Sequence, residues 1–333
     1  MNLFEKNILV TGGAGFIGSH LVDALMEENC NVRVLDNLAN GKMDNIKQHG
    51  NSDNFEFVLG SITDPFDVSK VMKDIEIVFH LACLGVRHSI KHPYENHRAN
   101  AEGTLLVLNE AYRLGVEKFI YCSSSEVYGT AEYVPMPETH PTWPCTVYGA
   151  SKLAGEAYVR SYFKTYNFNT VIIRPFNTYG PRSHHEGDAG EMIPKSIVRV
   201  LNNQPIMIFG NGSQTRDFTY VKDSSRGLVE VAKTDDVSGL TLNMGSNLEF
   251  SIKNIAEKIL KIIGSSESTI NYLQDRPGDV LRLFADASQF HHITKWSPIV
   301  TFEEGLKETI QWFQSRPKGM SVMLGEEKEI NWE

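Results

Sequence analysis

The chain has 333 residues, of which 41% are hydrophobic, and its 32 basic and 41 acidic side chains give a net charge of −9. This length suffices for two lobes, since domains usually hold roughly 100–200 residues. The acidic balance argues against nucleic acid or an anionic membrane as a partner. The N-terminus MNLFEKNILV has no signal-peptide pattern, and no later segment reaches ~18 uninterrupted apolar residues. We therefore expect a cytoplasmic protein.

Short apolar runs rich in β-forming residues alternate with helix-like stretches through the first two thirds of the chain. In chain order, the runs are NILVT, NVRVLD, FEFVL, EIVFHLA, KFIYCS and NTVIIRP. Such alternation predicts an α/β fold, in which a Rossmann-type, doubly wound parallel sheet carries helices on both faces. We assign the domain built on this sheet to residues 1–175.

From about Pro175, glycine- and proline-rich loops interrupt the pattern, and helical periods return near SIKNIAEKILKIIG and FEEGLKETIQWFQ. We expect residues 176–315 to form mainly a smaller C-terminal α/β lobe that binds substrate, with some segments returning to the first domain. Residues 316–333 have no sustained period, and we expect a flexible tail there.

A dinucleotide site is predicted by ILVTGGAGFIGSHLVDAL, where Gly12, Gly15 and Gly18 have G-x-x-G-x-x-G spacing between a strand and a helix. Glycines permit the tight turn, the approach of backbone N–H groups to a pyrophosphate, and close packing of the helix on the strand. The next strand, NVRVLD, ends in Asp36, whose carboxylate can accept hydrogen bonds from ribose hydroxyls and repel a 2′-phosphate. NAD is therefore favoured over NADP.

Neighbouring strand ends extend this prediction, because ligands of open α/β sheets lie beyond the carboxyl ends of the strands. GSITD and HLACLG follow two such strands. The predicted cofactor-binding residues of these segments are Gly12, Gly15, Phe16, Ile17, Gly18, Asp36, Asn37, Ser61, Ile62, Leu81 and Ala82.

A second site is predicted by VYGASKLAGEAY, which reads as a helix with Tyr148 and Lys152 one turn apart on one face. An ammonium close to a phenol favours the phenolate and lowers the tyrosine pKa. Such a pair can remove the proton of an alcohol while a hydride leaves its carbon. The spacing alone is weak, but it follows the glycine turn and a strand ending in Ser123 and Ser124.

The motifs TGGAGFIGSH, DNLANGK, HLA, SSSEVYG, YGASK, RPFNTYGPR, GNGSQTRDFTYVKD and RPGD occur in one order from about Ile8 to Phe313. In this respect the sequence resembles the extended short-chain dehydrogenase/reductases that act on nucleotide sugars. The resemblance implies that Tyr148 is the acid/base at the C4 hydroxyl and that Lys152 orients the nicotinamide ribose. Ser124 would share the hydrogen bond of the sugar hydroxyl. Asn100, placed with the cofactor-binding residues, would help position the catalytic strand and helix.

The substrate end of a nucleoside-diphosphate sugar needs donors for the diphosphate, and an acidic protein must concentrate them. Asn177, Arg216 and Arg276 are the candidates, because guanidinium groups can engage phosphate oxygens through two hydrogen bonds. PIMIFGNG is expected to form an edge strand along which the base lies, with Ile208 and Phe209 nearby. The adjacent histidines of SHHEGDAGE have no metal-ligand spacing, so we expect a loop over the sugar pocket and predict no metal site.

The stretch CSSSEVYG bears on which reaction follows oxidation at C4. If it continues as an extended strand, Ser124 and Glu126 share a face, and Glu126 can act as a carbon base. It could equally cap a turn or pair with an arginine. The stretch resembles the nucleotide-sugar 4,6-dehydratases, in which this glutamate is the C5 base and the preceding residue, here Ser125, assists loss of the C6 hydroxyl. dTDP-glucose dehydratases have aspartate there, which argues against that substrate.

The leading hypothesis is thus an NAD-dependent nucleotide-sugar 4,6-dehydratase with a UDP-sugar favoured. A UDP-sugar 4-epimerase acting on UDP-glucose, UDP-GlcNAc or UDP-glucuronate comes second, and a UDP-glucuronate decarboxylase third. A non-catalytic NAD-binding sensor is the alternative outside enzymes. The resemblance also implies a homodimer, formed through the helical stretches ENHRANAEGTLLVLNEAYRLG and YGASKLAGEAYVRSYFKTY.

Overall fold

A computed structural model describes residues 1–264, 267–276 and 278–332. Pro277 of the RPGD motif and Glu333 of the predicted tail lie outside these ranges. The strands are β1 (Asn7–Thr11), β2 (Asn31–Asp36), β3 (Phe55–Leu59), β4 (Ile77–His80), β5 (Lys118–Cys122), β6 (Thr170–Pro175), β7 (Asn177–Tyr179), β8 (Ile206–Phe209), β9 (Thr215–Tyr220), β10 (Thr241–Met244), β11 (Glu249–Ser251), β12 (Ile270–Leu273) and β13 (Arg282–Leu283).

The α-helices lie between and after these strands. They are α1 (Phe16–Glu27), α2 (Pro65–Met72), α3 (Val86–Lys91), α4 (Pro93–His97), α5 (Gly103–Arg113), α6 (Val147–Tyr166), α7 (Met192–Leu201), α8 (Val221–Lys233), α9 (Ile252–Ile263), α10 (Ser288–Thr294), α11 (Phe302–Gln314) and α12 (Met320–Glu326). Among the described residues, none of these helices has the length and apolar character that crossing a bilayer requires.

A seven-stranded parallel sheet in the order β10-β6-β5-β4-β1-β2-β3 confirms the predicted Rossmann-type α/β fold. In this sheet β1 lies between β2 and β4, so the order in which the chain adds strands reverses at β1. Ile8 and Val10 pack into one core with Leu21 of α1 and Leu228 of α8. Leu9 points to the opposite face and packs with residues of α2 and α5. This alternation is what a strand covered on both faces requires.

The smaller lobe contains a second sheet built around β9. Strand β9 pairs with β11 antiparallel and with β13 and β7 parallel, while β8 and β12 form a separate parallel pair. Its core includes Tyr179, Ile197, Ile255 and Leu306. The segments that return to the first domain are α8, which packs on α1, and β10, which adds an edge strand beside β6.

The C-terminal residues differ from the expected flexible tail. Residues 320–326 form α12, whose Met323 is buried in the core of the smaller lobe. The Glu327 side chain pairs with α7, and Asn331 is buried and hydrogen-bonded to the 187–190 loop. The weak periodicity of the sequence missed this segment because its attachment depends on partners more than 100 residues away.

A buried ion pair joins β6 to α6. The Arg174 guanidinium donates to both carboxylate oxygens of Glu156, at 2.8 and 2.6 Å, and neither side chain is more than 3% exposed. Ser123, directly after β5, donates to the same carboxylate at 2.6 Å, and Tyr128 accepts from Arg174 at 2.8 Å. The pair thus fixes β5, β6 and α6 relative to one another.

Replacing Glu156 by Gln should lower the free energy of unfolding by about 3–5 kcal/mol, because it leaves the Arg174 charge buried without its counterion. Urea denaturation followed by circular dichroism measures the change. Glu56→Gln is the matched control, since Glu56 pairs with Arg33 at the surface and such pairs contribute at most about 1 kcal/mol. Equal effects of the two substitutions would contradict the structural role of Glu156.

Candidate active site

A cavity of about 1150 Å³ lies along the carboxyl edge of the large sheet and continues under the smaller lobe. With the exception of Asn100, all of the residues predicted from the sequence to bind cofactor or substrate, or to act in catalysis, line this cavity. The volume exceeds the roughly 300–1,000 Å³ of common small-molecule pockets. It therefore has room for two ligands end to end.

The turn after β1 has the geometry of a pyrophosphate cradle. Gly12 has φ of 74°, and a Cβ there would come within 2.8 Å of the backbone of Ala82. A Cβ at Gly18 would collide with the carbonyl oxygen of Gly12, so only glycine lets α1 start this close to β1. Helix α1 begins at Phe16, directly after Gly15, and points its N-terminus at the cavity, where a helix N-terminus favours an anion.

Asp36 stands at the end of β2 beside this turn. Its carboxylate accepts hydrogen bonds from the backbone N–H of Ala14 at 2.9 Å and of Leu38 at 2.8 Å, which holds the strand end against the glycine turn. Burial raises the pKa of Asp36, and the two backbone donors oppose that shift. The carboxylate retains free lone pairs toward the cavity, as a ribose-binding acid needs. The glycine cradle and this acid together fit NAD.

Of the remaining residues predicted to bind the cofactor, all but Asn100 lie at strand ends in the cavity. Asn37, Ser61, Ile62, Leu81 and Ala82 line the cavity at the ends of β2, β3 and β4.

Asn100 does not line the cavity. Its side-chain amide donates to the carbonyl of Leu84 at 2.8 Å and accepts from the N–H of the same residue at 2.8 Å. Asn100 is buried, so it fixes the loop after β4 from behind. Leu84, to which it is bonded, lines the cavity.

Tyr148 and Lys152 lie on the first two turns of α6, which begins after Thr146, whose hydroxyl accepts from the N–H of Gly149 at 3.2 Å. The Lys152 ammonium donates to the carbonyl of Cys122 at 2.8 Å, at the end of β5. Both side chains line the cavity at the end of β5. The helix therefore presents the pair next to the strand end that carries Ser124.

The expected lowering of the Tyr148 pKa by Lys152 is wrong for this structure. Burial raises the pKa of Tyr148 well above its usual range, and a hydrogen bond with Ser124 opposes that shift. The Lys152 ammonium instead donates its hydrogen bond to a backbone carbonyl of β5. Ser124 is thus the neighbour that most directly favours the phenolate.

A short helical turn, and not the expected extended strand, places Glu126 in the cavity. Strand β5 ends at Cys122, and Ser125–Val127 form a short 3-10 helix, so the alternation of an extended strand does not apply. The turn is closed by the Ser124 hydroxyl, which accepts from the Glu126 N–H at 3.2 Å. Both Ser125 and Glu126 still line the cavity.

The charge of Glu126 is set by two opposing effects. Burial raises its pKa, while the nearby guanidinium groups of Arg216 and Arg276 act to lower it. Burial is the larger effect. The carboxylate is therefore a stronger base than an ordinary surface glutamate, and it faces the same space as Tyr148, whose pKa it raises.

The basic groups of the substrate end are clustered. Arg216 and Arg276 both bind the same oxygen of Asp279, with the Arg216 nitrogen at 3.2 Å. The side-chain oxygen of Asn177 is buried without a hydrogen-bond partner in the described part of the chain. Buried polar groups are usually paired, so this amide and the two guanidinium groups suit an anionic or hydroxylated ligand. Ile208 and Phe209 line the cavity from β8.

Sequence reasoning missed several residues that line the cavity. Arg87, one residue into α3, is the most prominent: burial and the neighbouring Arg276 lower its pKa to about 10, and Glu191 opposes them. Cys83 lies near Tyr148, and Trp332 also lines the cavity. The signal for Arg87 was its place shortly after β4, five residues beyond Ala82, the last residue predicted at that strand end.

Comparison with known proteins defines the class. Residues 9–309 match the family model described as GDP-mannose 4,6 dehydratase. The dTDP-D-glucose 4,6-dehydratase of Mus musculus is 35% identical over 325 residues, which cover 93% of this chain and 89% of the relative. The chain therefore belongs to this family of NAD-dependent nucleotide-sugar dehydratases and epimerases, within the extended short-chain dehydrogenase/reductases.

Solved structures of the same fold include epimerases at equal identity. The UDP-N-acetylglucosamine 4-epimerase from Methanobrevibacter ruminantium M1, in complex with UDP-N-acetylmuramic acid, is 35% identical, with a TM-score of 0.88 over 94% of this chain and 99% of that one. The UDP-glucuronic acid 4-epimerase from Bacillus cereus, in complex with UDP-glucuronic acid and NAD, is 34% identical, with a TM-score of 0.87 over 92% and 99%. Overall similarity thus fixes the family and the cofactor.

Asp36→Ala should weaken NAD binding about tenfold and narrow the preference for NAD over NADP, because the ribose loses its acceptor and a 2′-phosphate loses a repelling charge. Isothermal titration with both dinucleotides measures the two affinities. Asp64→Ala is the matched control: Asp64 also accepts from two backbone N–H groups, but at the start of α2. Unchanged NAD and NADP affinities in the Asp36 variant would exclude the ribose contact.

Proposed function

We propose that this protein is a nucleotide-sugar 4,6-dehydratase that acts on a UDP-sugar. The observation that carries the proposal is the position of Glu126, whose half-buried carboxylate has a raised pKa and lies beside Ser124 and Tyr148 in the cavity. Removal of a C5 proton requires such a base, whereas a 4-epimerase needs none. The second candidate is a UDP-sugar 4-epimerase, which the 34–35% identity to two solved epimerases favours.

The first step is common to both candidates. Bound NAD supplies the hydride acceptor for the C4 hydrogen. Tyr148 takes the proton of the C4 hydroxyl, and the hydrogen bond between Tyr148 and Ser124 favours the phenolate that does so. Lys152 holds α6 against the end of β5 through the carbonyl of Cys122, which keeps the phenol in position as the charge develops.

Elimination is where the two candidates differ. The ketone at C4 acidifies the C5 hydrogen, and Glu126 takes it as a proton. Glu126 passes this proton to the departing C6 hydroxyl, which leaves as water while Ser125 donates a hydrogen bond to it. With NAD bound, the hydride taken from C4 would return to C6, and the proton that Tyr148 took from the C4 hydroxyl would replace the one lost from C5. Since the pKa of Glu126 is raised by burial, its basic form is lost on acidification at a higher pH than for an exposed glutamate.

The diphosphate is assigned to the cationic cluster. Arg216 and Arg276 meet at Asp279, and their remaining N–H groups can bind phosphate oxygens in pairs. The unpartnered side-chain oxygen of Asn177 lines the same cavity and can accept a hydrogen bond from a substrate hydroxyl. The net charge of −9 makes this local cluster the attractive feature for an anionic substrate.

Glu126→Gln should leave the first half of the reaction intact and block the second. With UDP-GlcNAc or UDP-glucose, the variant should still reduce bound NAD, seen as nicotinamide absorbance, while product 18 mass units lighter falls at least about 100-fold, as for loss of a general base. Tyr148→Phe is the control that stops both steps. An unaltered dehydration rate in the Glu126 variant would remove this residue from the mechanism.

The mass of the product separates the candidate reactions for the unmodified enzyme. UDP-GlcNAc, UDP-glucose, UDP-glucuronate and GDP-mannose are incubated with the protein, and products are followed by mass spectrometry. Loss of water supports a dehydratase, and loss of carbon dioxide indicates a decarboxylase. A product of unchanged mass as the sole outcome would replace the dehydratase by the epimerase.

We further propose a homodimer formed through α5 and α6. An aromatic cluster lies exposed on these helices: Tyr112 stacks on Tyr166 at 4.9 Å between ring centroids, and their exposed fractions are 41% and 50%. Leu105 and Leu114 are exposed on or next to the same helix. An apolar surface of this kind commonly marks a protein interface.

The double variant Leu105→Glu, Tyr112→Glu should shift the protein from dimer to monomer in sedimentation equilibrium, because two charges per subunit would be buried without partners. Ile299→Glu is the control, since Ile299 is 73% exposed next to α8, on the other side of the sheet. A monomeric wild type, or a variant that stays dimeric, would contradict this interface.

A further inference from the structure

The residues after α12 form a strap that borders the active-site cavity. We define the C-terminal strap as residues 327–332, which lie beyond the part of the chain matched by the family model. Glu327, Asn331 and Trp332 of the strap line the cavity. The strap is thus in a position to contact whatever binds at this end.

The strap is fastened by buried polar contacts. The Glu327 carboxylate lies 3.3 Å from the ammonium of Lys195 and 2.8 Å from the guanidinium of Arg199, and the Glu327 side chain is only 2% exposed. The Asn331 amide donates to the carbonyl of Gly190 at 2.8 Å and is buried. Ordering a chain end costs conformational entropy, and two buried anchors at both ends of the strap offset that cost.

Trp332 meets the strand that the sequence had assigned to the nucleobase. Its ring lies 4.6 Å from the ring of Phe209, centroid to centroid, at an angle of 72°. Both rings line the cavity and both are partly exposed to it. Two aromatic rings at near right angles form a corner, in which a flat ring can stack on one face and meet the other ring at its edge.

The strap borders the cavity and does not fill it. About 1150 Å³ of space remains with the strap in place. The dinucleotide cradle lies beside β1 and β2. Leu273 at the end of β12 pairs with Phe209 of β8, so Arg276, three residues further on, follows the strand next to Phe209, and Arg216 meets Arg276 at Asp279. A nucleoside diphosphate with its phosphates on this cluster has its base near Phe209 and Trp332.

We propose that Trp332 is a specificity-determining residue, which forms one wall of the base-binding pocket and which the strap holds in place for a uracil ring. The proposal rests on the proposed function in one respect, that the substrate carries a nucleoside diphosphate. The fixed corner between Trp332 and Phe209 limits the size of the ring that fits, so that a pyrimidine is preferred to a purine.

The test uses UDP and GDP as probes of the full-length protein in isothermal titration. Trp332→Ala should weaken UDP binding about tenfold, as loss of a stacking ring does, and should weaken GDP binding less. Trp332→Phe should restore most of the UDP affinity. In turnover, KM for the UDP-sugar should rise with kcat within about twofold, because the base is remote from the reacting carbons.

Trp143→Ala is the matched control, since Trp143 is 72% exposed and does not line the cavity. NAD affinity should be equal in all variants, which shows that each is folded. If the wild type binds UDP and Trp332→Ala binds UDP equally or more tightly, Trp332 is excluded as a wall of the base-binding pocket, while the dehydratase proposal stands. A wild type that binds NAD but neither UDP nor GDP would overturn both.

Discussion

The buried pair of Arg174 and Glu156 is the interaction on which the catalytic half of the cavity depends. It fastens α6 to β6, and through Ser123 it also holds the end of β5. Tyr148 enters the cavity from α6 and Ser124 from the end of β5, so their hydrogen bond exists only while these elements keep their spacing. A doubly hydrogen-bonded guanidinium suits this role, because its fork fixes direction as well as distance.

Charge is unevenly distributed in this protein. The chain as a whole is acidic, with a net charge of −9, yet three arginines, Arg87, Arg216 and Arg276, surround Glu126 in the cavity. Their positive field would make Glu126 a weak base if burial did not act in the opposite direction and exceed it. One site can thus attract a diphosphate and still keep a carboxylate that accepts protons.

The same frame serves dehydratases and epimerases, which explains why overall similarity does not separate them. Under the proposed function, the glycine turn, Asp36, Tyr148 and Lys152 serve the oxidation that both reactions share. In our proposal the two reactions diverge at the side chains assigned to C5 and C6 of the sugar, which are Ser125 and Glu126. A comparison averaged over more than 300 residues responds weakly to two positions, and the proposal assigns the choice of product to the local chemistry of those two.

The sequence by itself determined the features that depend on near neighbours in the chain. The sequence predicted the first six strands of the large sheet, the glycine turn, and the helix bearing Tyr148 and Lys152. These predictions held because strand alternation, turn sterics and helical spacing act over a few residues. Only the tertiary structure decided the direction in which the Tyr148 pKa shifts, the 3-10 turn at Glu126, and the position of Arg87 in the cavity. It also decided the packing of Trp332 in the strap against Phe209. Each of these features depends on burial or on partners distant in the chain, and the local sequence pattern indicates neither.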